Sequence, residues 1–153
     1  MESATTYKDW VKENLNEFGH GNRIGLLTGS IIPSSYYYKA QKLRELTRRQ
    51  IFDALDAYDV LILPTSKSCA PLVEGTDPEI TSKEMAAALP PVMTRPFNLT
   101  GAPAMSVNCG FNSEGLPIGL QIGGRPFAEE TVLMVAHAYE EATEWHDHKP
   151  PNA

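Results

Sequence analysis

The residues best placed by type to do chemistry are Ser66, Lys67 and Ser68, which put two hydroxyls beside an amine in "TSKSCA". Hydrolysis through a covalent intermediate needs a nucleophile, a base within reach and oriented donors for the oxyanion. Adjacent side chains of an extended chain point to opposite sides, so this triplet reads as a solvated loop. The strained elbow G-x-S-x-G is absent. His146 and His148 flank Asp147, with His137 upstream. At a helix end such cationic groups suit the helix dipole, and that reading is preferred to a metal site. His137 with Glu140 and Glu141 reads as an exposed helix face. No H-E-x-x-H, C-x-x-C or G-x-G-x-x-G occurs, so neither a metal nor a cofactor is expected.

The totals narrow the field further. A chain of 153 residues has the usual size of one domain. With 42% hydrophobic and 21% charged residues it is globular in composition. A net charge of -6 gives no general affinity for nucleic acid or an anionic membrane. Lys39, Lys42, Arg44, Arg48 and Arg49 are therefore expected to form a solvated face of a helix, not an RNA contact. The longest apolar run, "VLILP", is far too short to span a bilayer. "MESATTYKDW" lacks the basic region and apolar core of a signal peptide, and Cys69 and Cys109 suit two reduced thiols in the cytoplasm.

These residues must be held by helices and strands. Tyr7, Val11, Leu15 and Phe18 predict a helix over roughly 5–18, stopped by "GHGN". The next apolar patch, "RIGLLTG", is too short to assign. "PSSYYYKAQKLRELTRRQIFDALDAYD" predicts a helix of about 22 residues and about 33 Å, with Ser34 or Ser35 as its cap. Ala40, Leu43, Thr47, Ile51, Ala54 and Tyr58 would make one buried stripe along it. "DVLILPTS" predicts a strand buried on both faces. The stretch 67–94 is mostly loop, with a short helix started by a capping box at Thr81 and Glu84. Met105, Val107, Cys109 and Phe111 alternate, as do Leu116, Ile118, Leu120 and Ile122, around the turn "NSEG". A last helix is predicted from about Glu129 to Trp145, with Val132, Val135, Ala136, Tyr139 and Ala142 as its apolar face.

"FNLTGAPAMSVNCGF" followed by "GLPIGLQIGGRPFAEETVLMVAHAYEEATEWH" closely resembles the C-terminal end of the amidase signature enzymes. That family includes the A subunit of tRNA-dependent amidotransferases. "GNRIGLLTGSIIPSSYYYKAQKLRELTRRQIFDALDAYDVLILPTS" resembles the family's long helix and following strand, so the likeness covers about residues 18–148. The resemblance implies an α/β fold, a partial mixed β-sheet flanked by helices. It implies hydrolysis or transfer of an amide nitrogen without a cofactor, by a nucleophilic serine, a relay serine in a cis peptide and a lysine. It also implies a role for Arg23, which matches an arginine that faces the substrate's carboxylate in the family's amidotransferase members.

The family's Gly/Ser-rich loop, G-G-S-S-G-G-S, and its catalytic lysine have no counterpart here. Residues 1–153 are thus expected to form the C-terminal portion of an amidase domain, inactive alone, with Arg23 as the one substrate-binding candidate. An amide substrate is expected only after completion by an N-terminal amidase segment. The alternative is an accessory module that dimerises or completes a split enzyme, and an active hydrolase using Ser66 and Lys67 ranks last.

Overall fold

The computed structural model describes residues 1–71 and 93–149. The capping box at Thr81 and Glu84 lies outside them. The described residues fall into two units, residues 1–43 with 71, and residues 44–70 with 93–149.

The first unit is helical. In place of one helix over 5–18 there are two short ones, α1 (Glu2–Thr6) and α2 (Lys8–Asn14), separated at Tyr7 and followed by a 3-10 turn at Leu15–Glu17. Trp10 packs edge-on against Phe18 with ring centroids 5.0 Å apart. "GHGN" does not only end a helix: Gly19, extended at φ -58 and ψ 153, starts α3 (His20–Ile31). The glycines in this stretch hide its helical period. One of them has a packing reason, because a Cβ at Gly29 would lie 3.2 Å from the Cβ of Ala4 on α1. Among the described residues, Ala4 and Leu26 are the buried hydrophobic side chains of this unit.

Pro33 then forces its predecessor Ile32 into extended backbone, at φ -66 and ψ 126, and separates α3 from α4 (Ser34–Ala54). Ser34 is the first residue of α4 and not the cap before it. The length of 21 residues agrees with expectation, but the buried stripe does not form. None of its residues is buried, and Leu43 and Tyr58 are 63% and 67% exposed. The periodic residues record a burial that the packing of this chain does not supply. Much of the basic face is solvated as expected, with Lys42 over the ring of Tyr38 at 4.7 Å and Arg49 paired to Glu45 at 2.9 Å. Arg44 departs from that reading, since its Nε donates to the Leu99 carbonyl at 2.6 Å.

The second unit is built on three antiparallel strands, β1 (Leu61–Pro64), β2 (Ala104–Phe111) and β3 (Pro117–Gly123), in the order β1-β3-β2. β1 is an edge strand rather than one buried on both faces, and its Ile62 is 56% exposed. The hairpin turn works as its residue types suggest. Asn112 Oδ1 accepts hydrogen bonds from the amides of Glu114 and Leu116 at 3.0 and 2.8 Å, and Gly115 takes φ 78. A bulge between Asn108 and Phe111 breaks the alternation of β2. Gly110 supplies its φ of 140, and Asn108 Oδ1 accepts from the Gly110 amide at 3.1 Å. Phe111 consequently stacks on His148, with Trp145 edge-on to both.

"RPFNLT" forms a helix that the turn residues had obscured, α5 (Arg95–Thr100). Pro96 sits in its first turn, where a missing N–H is not needed. Gly101 ends it at φ 70, its amide bonded to the Phe97 carbonyl at 2.8 Å.

Helix α6 (Glu129–Glu141) stops short of the expected Trp145, which lies in a separate 3-10 turn, Trp145–Asp147. It buries Val132 and Ala136 against Val107 and Ile122, with Val135 and Tyr139 at the border and Ala142 exposed. A hydrophobic residue just before a helix cap ordinarily packs on the first turns, and Phe127 holds that place. Instead it is 95% exposed at φ 63. Ala128 holds the cap position with no side-chain hydrogen bond to the first turn. Ala128→Asp should stabilise the chain by about 0.5–1.5 kcal/mol, the upper end reduced by repulsion from Glu129 and Glu130. Denaturant unfolding checks it, and an unchanged midpoint would show that another group already satisfies this end.

Candidate functional site

The Ser66 to Ser68 triplet follows β1 as a tight loop. Ser66 Oγ donates to the Ser68 carbonyl at 2.8 Å, and Ser68 Oγ donates to the Cys69 carbonyl at 3.2 Å. Both hydroxyls serve the backbone, and Lys67 is exposed without a bond to either serine. No nucleophile–base pair is assembled here. Cys69 and Cys109 are free thiols, each half-buried.

The histidines do not converge either. His146 lies 3.6 Å from Asp147 at the exposed chain end, His148 stacks on Phe111, and His137 is exposed on α6. Among the described residues no group of three or more His, Cys, Asp or Glu side chains is placed to hold a metal.

Arg23 lies near the start of α3, half-buried, its backbone amide bonded to the Gly19 carbonyl at 3.0 Å. The same unit contains an open, mainly apolar cleft of about 770 Å³ lined by Thr28, Ile31, Ile32, Pro33, Tyr36 and Tyr37 among others. Tyr37 Oη donates to Glu2 at its edge, at 2.8 Å. Arg23 is not among the residues that line this cleft.

In the sheet unit, polar groups collect on the face opposite α6. Thr65 Oγ1 and Ser106 Oγ are 2.6 Å apart, and a Cβ at Gly119 would come within 2.7 Å of Thr65 Oγ1. Gln121 lies beside them on the central strand, paired with Ser106 on β2 and Leu63 on β1. Arg125 closes the end of β3: one guanidinium nitrogen donates to the Leu55 carbonyl at 2.6 Å and to Asp56 at 2.9 Å. Sequence reasoning passed over Gln121 and Arg125. The signal for the first was a lone amide inside an apolar strand, and for the second a charge directly after "IGG".

Residues 3–133 match the family model described as Amidase. The chain is 38% identical over 155 aligned residues to the A subunit of the glutamyl-tRNA(Gln) amidotransferase of Rippkaea orientalis, covering 98% of this chain and 31% of that protein. The corresponding protein of Geobacillus kaustophilus is 46% identical over 155 residues, covering 97% and 31%. Among solved structures, a crystal structure of an amidase aligns with a TM-score of 0.73 at 24% identity, over 91% of this chain and 32% of that one. The A subunit of the Thermotoga maritima glutamyl-tRNA(Gln) amidotransferase aligns at 0.53 with 29% identity, over 92% and 32%. The chain thus spans about a third of the length of these relatives, and it matches a C-terminal-side part of them. The α/β fold is theirs as well. By the match over residues 3–133, the chain belongs to the amidase family.

Proposed function

We propose that this chain is the C-terminal portion of an amidase, a hydrolase or amidotransferase acting on amide carbon–nitrogen bonds, and that it is inactive alone. The family match over residues 3–133, at about 31% of the relatives' length, carries the reading. The chemistry of its own residues supports it, since both serines of the Ser66 to Ser68 triplet are bonded to backbone. Completion by a segment bearing the serine nucleophile, the relay serine and the lysine would provide covalent catalysis and proton transfer. Proton transfer alone is commonly worth about 10²–10⁴-fold in rate. No described helix is long and apolar enough to cross a membrane, which is compatible with action in the cytoplasm.

The test is amide turnover by the pure chain and by the chain co-expressed with the preceding portion of the Geobacillus kaustophilus protein. The pure chain should show none and the pair should show turnover. Turnover by the pure chain that is lost in Ser66→Ala or Lys67→Ala would overturn the reading. A discrete homodimer that ignores the added portion would favour an accessory module instead.

Within the completed enzyme Arg23 is proposed to bind the substrate's carboxylate, as a guanidinium does with two parallel hydrogen bonds. Arg23→Ala should raise KM for carboxylate-bearing amides by about tenfold or more, the loss of one charge-assisted pair. KM for neutral amides should change little. Equal changes for both classes would remove Arg23 from the site.

A further inference from the structure

We propose that the outer face of α6 pairs with the same face of a second copy of this chain, antiparallel about a two-fold axis between Leu133 and Met134. The proposal goes beyond the amidase reading and holds whether or not a further portion completes the enzyme.

Helix α6 packs Val132 and Ala136 against the sheet. Its other side carries Glu130, Leu133, Met134, His137 and Glu141, all exposed. Residues at this spacing lie on one stripe of a helix. Leu133 and Met134, at its middle, are 57% and 62% exposed. A single exposed apolar residue is ordinary on a protein surface. Here two are adjacent, with an acid one turn before them and an imidazole one turn after. That is a small apolar centre with a polar rim, the plan of a protein interface. Among the described residues neither Glu130 nor His137 takes part in an ion pair within the chain.

The order of residues selects the occupant. A two-fold axis between Leu133 and Met134 sets each of them against the other in the partner copy. The same axis sets Glu130 against the partner's His137, and His137 against the partner's Glu130. An imidazole has at least one N–H to donate to a carboxylate in either protonation state. Glu129 falls opposite the partner's Ala138, whose small side chain leaves room for it. A parallel pairing would instead set Glu130 against Glu130 and bring like helix ends together, which antiparallel dipoles avoid. The stripe is therefore complementary to its own inverted copy, as an isologous contact requires. One helix pair is a small contact, below about 1,200 Å², the range of weak and reversible association. The dimer should accordingly dissociate at roughly 10–100 µM.

Sedimentation of the whole chain at pH 7, over roughly 2–400 µM, tests this by spanning the expected range. The wild-type chain should pass from monomer to dimer and stop there. Met134→Gln should weaken the dimer at least fivefold, because the axis removes the side chain twice. Its unfolding midpoint in dilute solution should equal that of the wild type. Glu130→Lys and His137→Glu should each weaken the dimer, since like charges or two donors then meet. The double variant should restore it to within about twofold, with lysine facing glutamate across the axis. A chain monomeric throughout, or one that grows past the dimer, would overturn the proposal. So would a dimer undiminished in Met134→Gln, or a lowered midpoint, which would show that Met134 packs within its own chain. A double variant as weak as the single ones would exclude the antiparallel pairing and overturn it as well.

Discussion

Replacing Phe97 by alanine will destabilise the sheet unit by about 3–5 kcal/mol, the usual cost of removing a buried ring. Phe97 is 2% exposed and lies against the backbone of Gly123. A Cβ built on Gly123 would meet its ring carbons at 2.0 and 2.2 Å, a separation no real contact tolerates. Gly123→Ala should therefore cost about 1–3 kcal/mol through overpacking, although alanine is ordinarily the better strand residue. The informative variant is the double substitution. Once the ring is gone, the added methyl group enters vacated space, and Gly123→Ala should become neutral or stabilising. Unfolding midpoints of the four proteins give a coupling of about 1–3 kcal/mol between the sites. Additive effects would show that ring and glycine do not share this contact.

Ile122→Ala should cost about 2–5 kcal/mol and Ile122→Val only about 0.5–1.5 kcal/mol. Ile122 is fully buried on the central strand, and it meets Val107, Val132 and Ala136 from two other elements. Removing its outer carbons leaves a cavity that three packed neighbours cannot collapse into, whereas valine keeps the branched shape. Denaturant unfolding of the three proteins checks both values. Near-equal losses for alanine and valine would mean that the outermost methyl group, which both variants lack, sets the cost, and that the further cavity in alanine is filled by its neighbours.

Much of the architecture was legible because it is written in local residue types. The hairpin is specified by alternation on each side of "NSEG", with an asparagine to bind the turn amides and a glycine for the positive φ. The long helix is specified by its length and by Pro33, and the last helix by its apolar spacing up to Glu141. The family is written in the order of several spaced motifs, which no single contact determines. The serine triplet was also readable as a loop, because adjacent side chains diverge whatever surrounds them.

What only the tertiary structure decided depends on partners distant in sequence. Periodicity gives the face a helix would bury, but burial needs a surface to lie against, and α4 has no buried residue in this chain. β1 reads as a doubly covered strand from composition alone, yet its place at the sheet edge follows from pairing with β3 some sixty residues on. Phe127 stands where a hydrophobic residue would pack before the last helix, yet it is 95% exposed at φ 63. The close approach of Gly123 to Phe97, the grip of Arg125 on Leu55 and the unpaired oxygen of Gln121 have no local signature. They arise where α5, β3 and the turn after α4 meet, and physical complementarity at such junctions is a property of the packed chain, not of any window of its sequence.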